Sequence, residues 1–219
     1  MSDVSTVVRV LGILILAVLS SSCLRKDVVS TWYIEADRRV VWSIAERDVR
    51  SDAESPDDRD NDEDDFIAAV RRNDHAVARG LQQFTPAPLT SRILRERPPF
   101  SVVTDAGFPS LATLGERVLA RFGLRGSSLV EFTRDGFEWT WTLDADTRVD
   151  EDIRDDDLGA VFESPVIRLA LAQGRFLESP GVTLSEDKRL ATFPINDLLD
   201  GHGKREGQPT TFVVRWTDR

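Results

Sequence analysis

One thiol, two imidazoles and a large excess of carboxylates are the groups through which this 219-residue chain can do chemistry. The thiol is Cys23, the only cysteine, so no intrachain disulfide forms and the fold depends on its core alone. The imidazoles, His75 and His202, belong to no metal-binding spacing such as HExxH or HxH. His75 follows Asp74 on a predicted helix and reads as a surface residue. His202 sits in the polar, glycine-rich loop Gly201-His202-Gly203-Lys204-Arg205-Glu206-Gly207, where functional groups concentrate, and is the better candidate of the two. Asp58, Asp60, Asp62 and Asp64 have the alternation of a calcium loop. However, Glu63 takes the place of its glycine and Ala69 that of its bidentate glutamate. Asp144 and Asp146 begin a similar pattern that Arg148 breaks. Glu131 and Glu138 mimic a glycosidase pair, but on the polar face of a predicted hairpin, near Arg134, surface charge pairing explains them. There is no GxSxG elbow, SxxK pair, P-loop or GxGxxG. No catalytic residue, metal site or cofactor is therefore assigned, and enzymatic activity is disfavoured.

The thiol is placed by what precedes it. Val10 to Leu19 is an unbroken apolar run apart from Gly12, about half of the ~20 residues a membrane-spanning helix needs. With Ser20, Ser21 and Ser22 after it, it suits the apolar region and cleavage site of a signal peptide covering residues 1–22. Leu19-Ser20-Ser21-Ser22-Cys23 resembles a lipobox, the motif of bacterial lipoproteins, with Ser20 where leucine is usual and Leu19 one place further back. The resemblance implies cleavage before Cys23 and a thioether from its sulfur to diacylglycerol. Two or three acyl chains hold a protein stably where one is marginal. An ordinary secretory signal with a coincidental cysteine is the alternative. Leu24, rather than aspartate, follows the cysteine; by analogy with well-known diderm bacteria this favours the outer membrane, facing the periplasm.

The remaining ~200 residues suffice for one domain. At 41% hydrophobic over its full length, with 5 Trp and 11 Phe, the chain can bury a sizeable core. The net charge of −10 argues against nucleic acid or anionic lipid as the main partner.

The elements that must position these groups read as α+β: a mostly antiparallel twisted sheet of hairpins packed against two amphipathic helices. A tether over 23–30 leads into a single domain over 31–219. Thr31 to Glu35 and Arg39 to Val49 alternate as a first hairpin about Ala36-Asp37-Arg38. The acidic stretch from Asp52 to Asp65 leads into a helix carrying Phe66, Val70, Val77, Leu81 and Phe84, stopped by Pro86 and Pro88. Strands over 89–95 and 100–105 follow. Ser110 caps a second helix, with Gly123 at its end. Ser128 to Arg134 and Phe137 to Leu143 flank Asp135-Gly136, the pair expected for a two-residue hairpin turn. That turn sets Phe132 opposite Trp139 and Val130 opposite Trp141, all four on one face. Further strands are expected over 165–171, 175–178, 189–195 and 211–217. Trp32, Trp42, Trp139 and Trp141 occupy the apolar faces of the two hairpins. They line either a cradle for a hydrophobic ligand or a plain core.

The order of hairpin, amphipathic helix and strands, the helix start Phe108-Pro109-Ser110-Leu111-Ala112-Thr113-Leu114 and the Asp-Gly hairpin resemble the layout of LppM-type envelope lipoproteins. The stretch Arg168 to Ile195, turning at Glu178-Ser179-Pro180-Gly181, is similar in style. The resemblance implies a sheet cradle against two helices and a noncatalytic envelope role. The expectation is thus a membrane-anchored envelope protein whose partner is another envelope protein or a hydrophobic ligand. A lipid carrier using the tryptophan face is one alternative, and a hydrolase built on His202 is another.

Overall fold

The computed structural model describes residues 24–144, 156–163, 166–194 and 209–218. Cys23 and the apolar run before it, and His202 with its loop, lie outside the described residues. The expected α+β class is what the chain adopts, with its strands in two sheets.

The first hairpin joins β1 (Leu24–Ile34) to β2 (Val40–Ser51), with Trp32 directly opposite Trp42. Residues 24–30 are therefore the first half of a strand and not a tether. They extend because β2 is long enough to pair with them, and because Leu24, Val28 and Ser30 fall in phase with Trp32 on the inner face. After β2 come α1 (Pro56–Arg71), α2 (Ala76–Gln82), β3 (Thr90–Arg95), β4 (Phe100–Phe108) and α3 (Leu111–Arg121). The single helix expected over this region is two. Asn73 takes a left-handed backbone (φ 54°), which asparagine tolerates, and its side chain accepts from the Ser91 N–H at 2.9 Å. The acidic stretch forms the body of α1 instead of preceding it; Pro56 opens the helix, and Asp57 and Asp58 fill its first turn. In a helix Asp58, Asp60, Asp62 and Asp64 point to alternating sides and cannot converge on one ion. Ser110 caps α3 as expected, its Oγ accepting from the Thr113 N–H at 3.1 Å.

The second hairpin, β5 (Gly126–Thr133) and β6 (Gly136–Leu143), forms in a different register from the one expected. Phe132 pairs with Phe137, Val130 with Trp139 and Ser128 with Trp141, so the turn residues are Arg134 and Asp135. The inner-face set survives because the slip moves each pairing by two residues. Gly136 decides the register. It sits within β6 at φ +140°, where an added Cβ would lie 2.2 Å from the Trp216 carbonyl oxygen. Glycine is thus spent on the close approach of a neighbouring strand, not on the turn.

The chain continues through α4 (Asp156–Val161), β7 (Val166–Leu171), β8 (Arg175–Leu177), β9 (Thr183–Leu184), β10 (Leu190–Pro194) and β11 (Thr210–Thr217). The larger sheet runs β3-β4-β2-β1-β7-β10-β9, antiparallel except where β1 meets β7; the smaller runs β5-β6-β11-β8. Their inner faces meet at the tryptophans. Trp32 of the larger sheet lies 6.1 Å from Trp139 and 6.0 Å from Trp141 of the smaller, ring centre to ring centre. Helices α2 and α3 contribute Leu81, Leu114 and Val118 to this core, and Phe84 just after α2 joins them. A separate cluster lies under α1, where Phe66, Ile67 and Val70 pack on Val49, Phe100 and Val102.

Candidate functional site

The inward positions of β2 run Val40, Trp42, Ile44 and then Glu46, a carboxylate on a face otherwise built of apolar groups. Glu46 is 1% exposed, and Lys26 and His75 reach it from its two sides. Lys26, in phase with Val28 on the neighbouring strand β1, places Nζ 2.8 Å from Oε1 and 3.7 Å from Glu163. His75, the residue before α2, places Nε2 3.2 Å from Oε2. The chain of polar groups continues outward: Thr104 Oγ1 of β4 lies 3.1 Å from His75 Nε2, and Ser91 Oγ of β3 lies 3.1 Å from Thr104 Oγ1. Five side chains thus cross strands β1, β2, β4 and β3 along the seam between the two apolar clusters. The edge of the Phe66 ring covers His75 from α1.

Burial pushes the Glu46 carboxyl up more than any other single effect. The close approach of His75 and the charge and hydrogen bond of Lys26 together outweigh it and hold the group below its ordinary value of 4.5. A buried carboxylate is tolerable only with such partners. The surface reading of His75 is overturned: the residue is 4% exposed, drawn in by the carboxylate that the alternation of β2 puts on the core face.

The geometry is not that of a nucleophilic relay. A Ser-His-Asp arrangement needs the acid on one ring nitrogen and the hydroxyl on the other. Here Glu46 and Thr104 both meet Nε2, and His75 Nδ1 has no hydrogen-bond partner. Thr104 is fully buried, beyond the reach of a substrate. What the arrangement does is position: it locks the start of α2, and with it the α1–α2 connection, against three strands. It also makes that contact depend on the ionisation of one carboxylate.

The tryptophans singled out by the sequence are brought together, but inside. Trp32, Trp42, Trp139 and Trp141 are each 0% exposed, covered by the opposite sheet and by α2 and α3. For a ligand to reach them the two sheets must part. Trp42 and Trp139 donate to Ser30 and Ser128, each at 2.9 Å, whereas the indole nitrogens of Trp32 and Trp141 have no acceptor. Glu131 and Glu138 do face each other across β5 and β6 on the outer face. The cation on Glu138 is Arg215 of β11, at 2.5 Å, and not Arg134.

Lys26, Glu46, Thr104 and Ser91 went unnoticed in the sequence. The available signal was phase: Glu46 continues the inward alternation of Val40, Trp42 and Ile44, and Lys26 that of Val28 and Trp32. A charge in phase with a core face marks either the end of a strand or a buried ion pair, and the pattern alone does not separate the two.

The chain matches no family model, no curated protein and no solved structure. Its functional reading therefore rests on its own residues.

A shallow concavity of about 400 Å³ opens where the β1–β2 and β5–β6 turns meet, lined by Arg38, Phe132, Arg134 and Phe137 among others. Arg38 lies over the Phe137 ring, 4.3 Å from its centre, and Phe132 is 79% exposed. It is at the far end of β1 from Leu24.

Proposed function

We propose that this protein is a noncatalytic envelope lipoprotein, held to a membrane by lipid on Cys23 and facing the periplasm, that acts by binding another envelope component. The observation that carries the reading is the start of β1 at Leu24, the residue after Cys23 in sequence. An acyl anchor on that cysteine would join the lipid to a sheet strand with no spacer. The domain would then be held close to the membrane with its orientation restricted. Eleven residues of β1 at ~3.3 Å each would set the Arg38–Phe132 end about 35 Å out from the anchor. An exposed aromatic beside arginines suits a contact with another macromolecule better than a catalytic role. Leu24 after the cysteine favours the outer membrane over the inner, on the analogy given above.

Intact-mass measurement of the protein purified from bacterial membranes tests this directly. The expected product begins at Cys23 and carries the mass of a diacylglyceryl group, and a Cys23→Ser variant leaves the membrane fraction. A mature chain cut elsewhere, an unmodified Cys23, or a Cys23→Ser variant that stays with the membranes would overturn the assignment.

A further inference from the structure

The first residues of β1 pair with the last of β2, and that pairing brings charges together. Arg25 lies directly opposite Arg50, and Asp27 opposite Arg47. Like charges facing across a ladder destabilise it unless an anion stands between them. Plain alternation would put Arg47 and Arg50, three residues apart, on opposite faces of the sheet. A bulge prevents this: the register shifts between Arg25 and Asp27, and Asp48 takes a left-handed backbone (φ 51°). Glu46 and Val49 are consequently both buried on the inner face, while Arg47 and Arg50 are both exposed on the outer one. Arg25 is exposed there with them, between Leu24 and Lys26 of the inner face.

Arg95 adds a fourth cation. It pairs with Ser101 of β4, which stands between the buried Phe100 and Val102 and so faces outward. The acids beside these arginines are Asp27 and Asp48. Among the described residues, none of the four guanidinium groups has an ion-pair or hydrogen-bond partner. Arg25 and Arg50 line a depression of about 170 Å³ together with Lys26, Asp27, Asp48 and Pro99. The net charge of −10 conceals this face, because charge is sorted by the sheet. Seven carboxylates, from Asp57 to Asp65, are carried by α1, which packs on the inner side over Val49, Phe100 and Val102.

We propose that this outer face binds the phosphate groups of the membrane to which Cys23 is anchored, with the opposed Arg25 and Arg50 at its centre. The inference rests on the lipid anchor proposed above. Given that anchor, Arg25 stands two residues from the acylated cysteine, about 7 Å of extended chain, and the arginine pair lies within reach of the headgroup layer. Guanidinium groups take phosphate in a two-pronged fork, and a phosphate between Arg25 and Arg50 replaces one repulsion by two attractions. The contact turns the outer face toward the bilayer and α1, with its carboxylates, away from it.

The test is arginine modification by phenylglyoxal on the intact protein purified from bacterial membranes, read residue by residue by mass spectrometry. The protein is placed in vesicles of digalactosyl diacylglycerol, which hold an acyl anchor but offer no phosphate, and in the same vesicles with phosphatidylglycerol added. Arg25 and Arg50 are expected to react about fivefold more slowly when phosphatidylglycerol is present, the worth of one arginine at an anionic surface. Arg38 and Arg134, beside the concavity at the far end of β1, are expected to react equally in both. Equal rates for Arg25 and Arg50 in the two membranes overturn the proposal, since the bilayer would then shield them without any phosphate contact. Equal slowing of all four arginines overturns it as well, because no face would have been selected. The same spectra report the acyl group on Cys23. A lipidated chain without the selective slowing refutes the phosphate contact alone. A chain without the lipid refutes the anchor and this inference with it.

Discussion

Replacing Lys26 by methionine keeps the aliphatic stem of the side chain and removes only the ammonium group from the buried Glu46 carboxylate. At 2.8 Å the gross attraction between the two charges is about 6 kcal/mol for an effective dielectric of ~20. The cost of desolvating each ion runs to several kcal/mol and cancels much of this in the intact pair. In the variant that cancellation disappears, because Glu46 stays buried at 1% exposure while its nearest cation is gone. Lys26→Met is therefore expected to lose about 3–5 kcal/mol of stability at neutral pH. Urea denaturation, with midpoints compared at unchanged slope, measures it. The loss should depend on pH in a definite direction. The folded carboxyl titrates below its unfolded value of 4.5, so its contribution is complete above pH 4.5 and is lost as the pH falls through the folded value. Once Glu46 is protonated there is no charge left to strand, so the gap between wild type and variant should close in acid. With Glu46→Gln already present, Lys26→Met should cost at least about 1.5 kcal/mol less than it does alone. A loss under ~1 kcal/mol, a gap that does not narrow in acid, or additivity of the two changes within ~0.5 kcal/mol would refute this account of the seam.

Two further outcomes follow from the core. Trp139→Phe removes an indole that donates to Ser128, whereas Trp141→Phe removes one with no acceptor, from a similarly buried site. Calorimetry should find the first more destabilising than the second by about 1–2 kcal/mol, and the reverse order would contradict the hydrogen bonding described. Gly136→Ala should cost about 3 kcal/mol or more, since it combines a strained φ of +140° with a Cβ aimed 2.2 Å from a backbone oxygen. A neutral result in the same assay would show that β11 does not approach there.

How far the sequence determined this protein can be judged element by element. Alternation of apolar residues is a local property, and it placed Trp32, Trp42, Trp139 and Trp141 on the correct faces; capping chemistry, equally local, placed Ser110 at the start of α3. The α+β class followed from the same patterns. Where two local signals competed, the sequence misled. Asp135-Gly136 resembles a turn, but glycine was needed one place further on for β11, a strand more than seventy residues downstream. The acidic stretch before Phe66 reads as a helix prelude, yet it is helix, because Pro56 and the first-turn acids suit a helix start and the apolar side of its last turns has a cluster to cover. Residues 24–30 read as a tether until β2 proved long enough to pair with them.

Only the tertiary structure decided the rest. That the tryptophan faces close on each other, and not on a ligand, depends on two sheets meeting, which neither sheet's own pattern specifies. The ion pair of Lys26 and Glu46 joins residues 20 apart, and His75 reaches it from another element. Each is an unremarkable charged or polar residue in its own neighbourhood. Periodicity reports which side of a strand a residue occupies, because alternation is built into the backbone. It does not report what stands on the other side, and burial, ionisation and the worth of a charge are all set there.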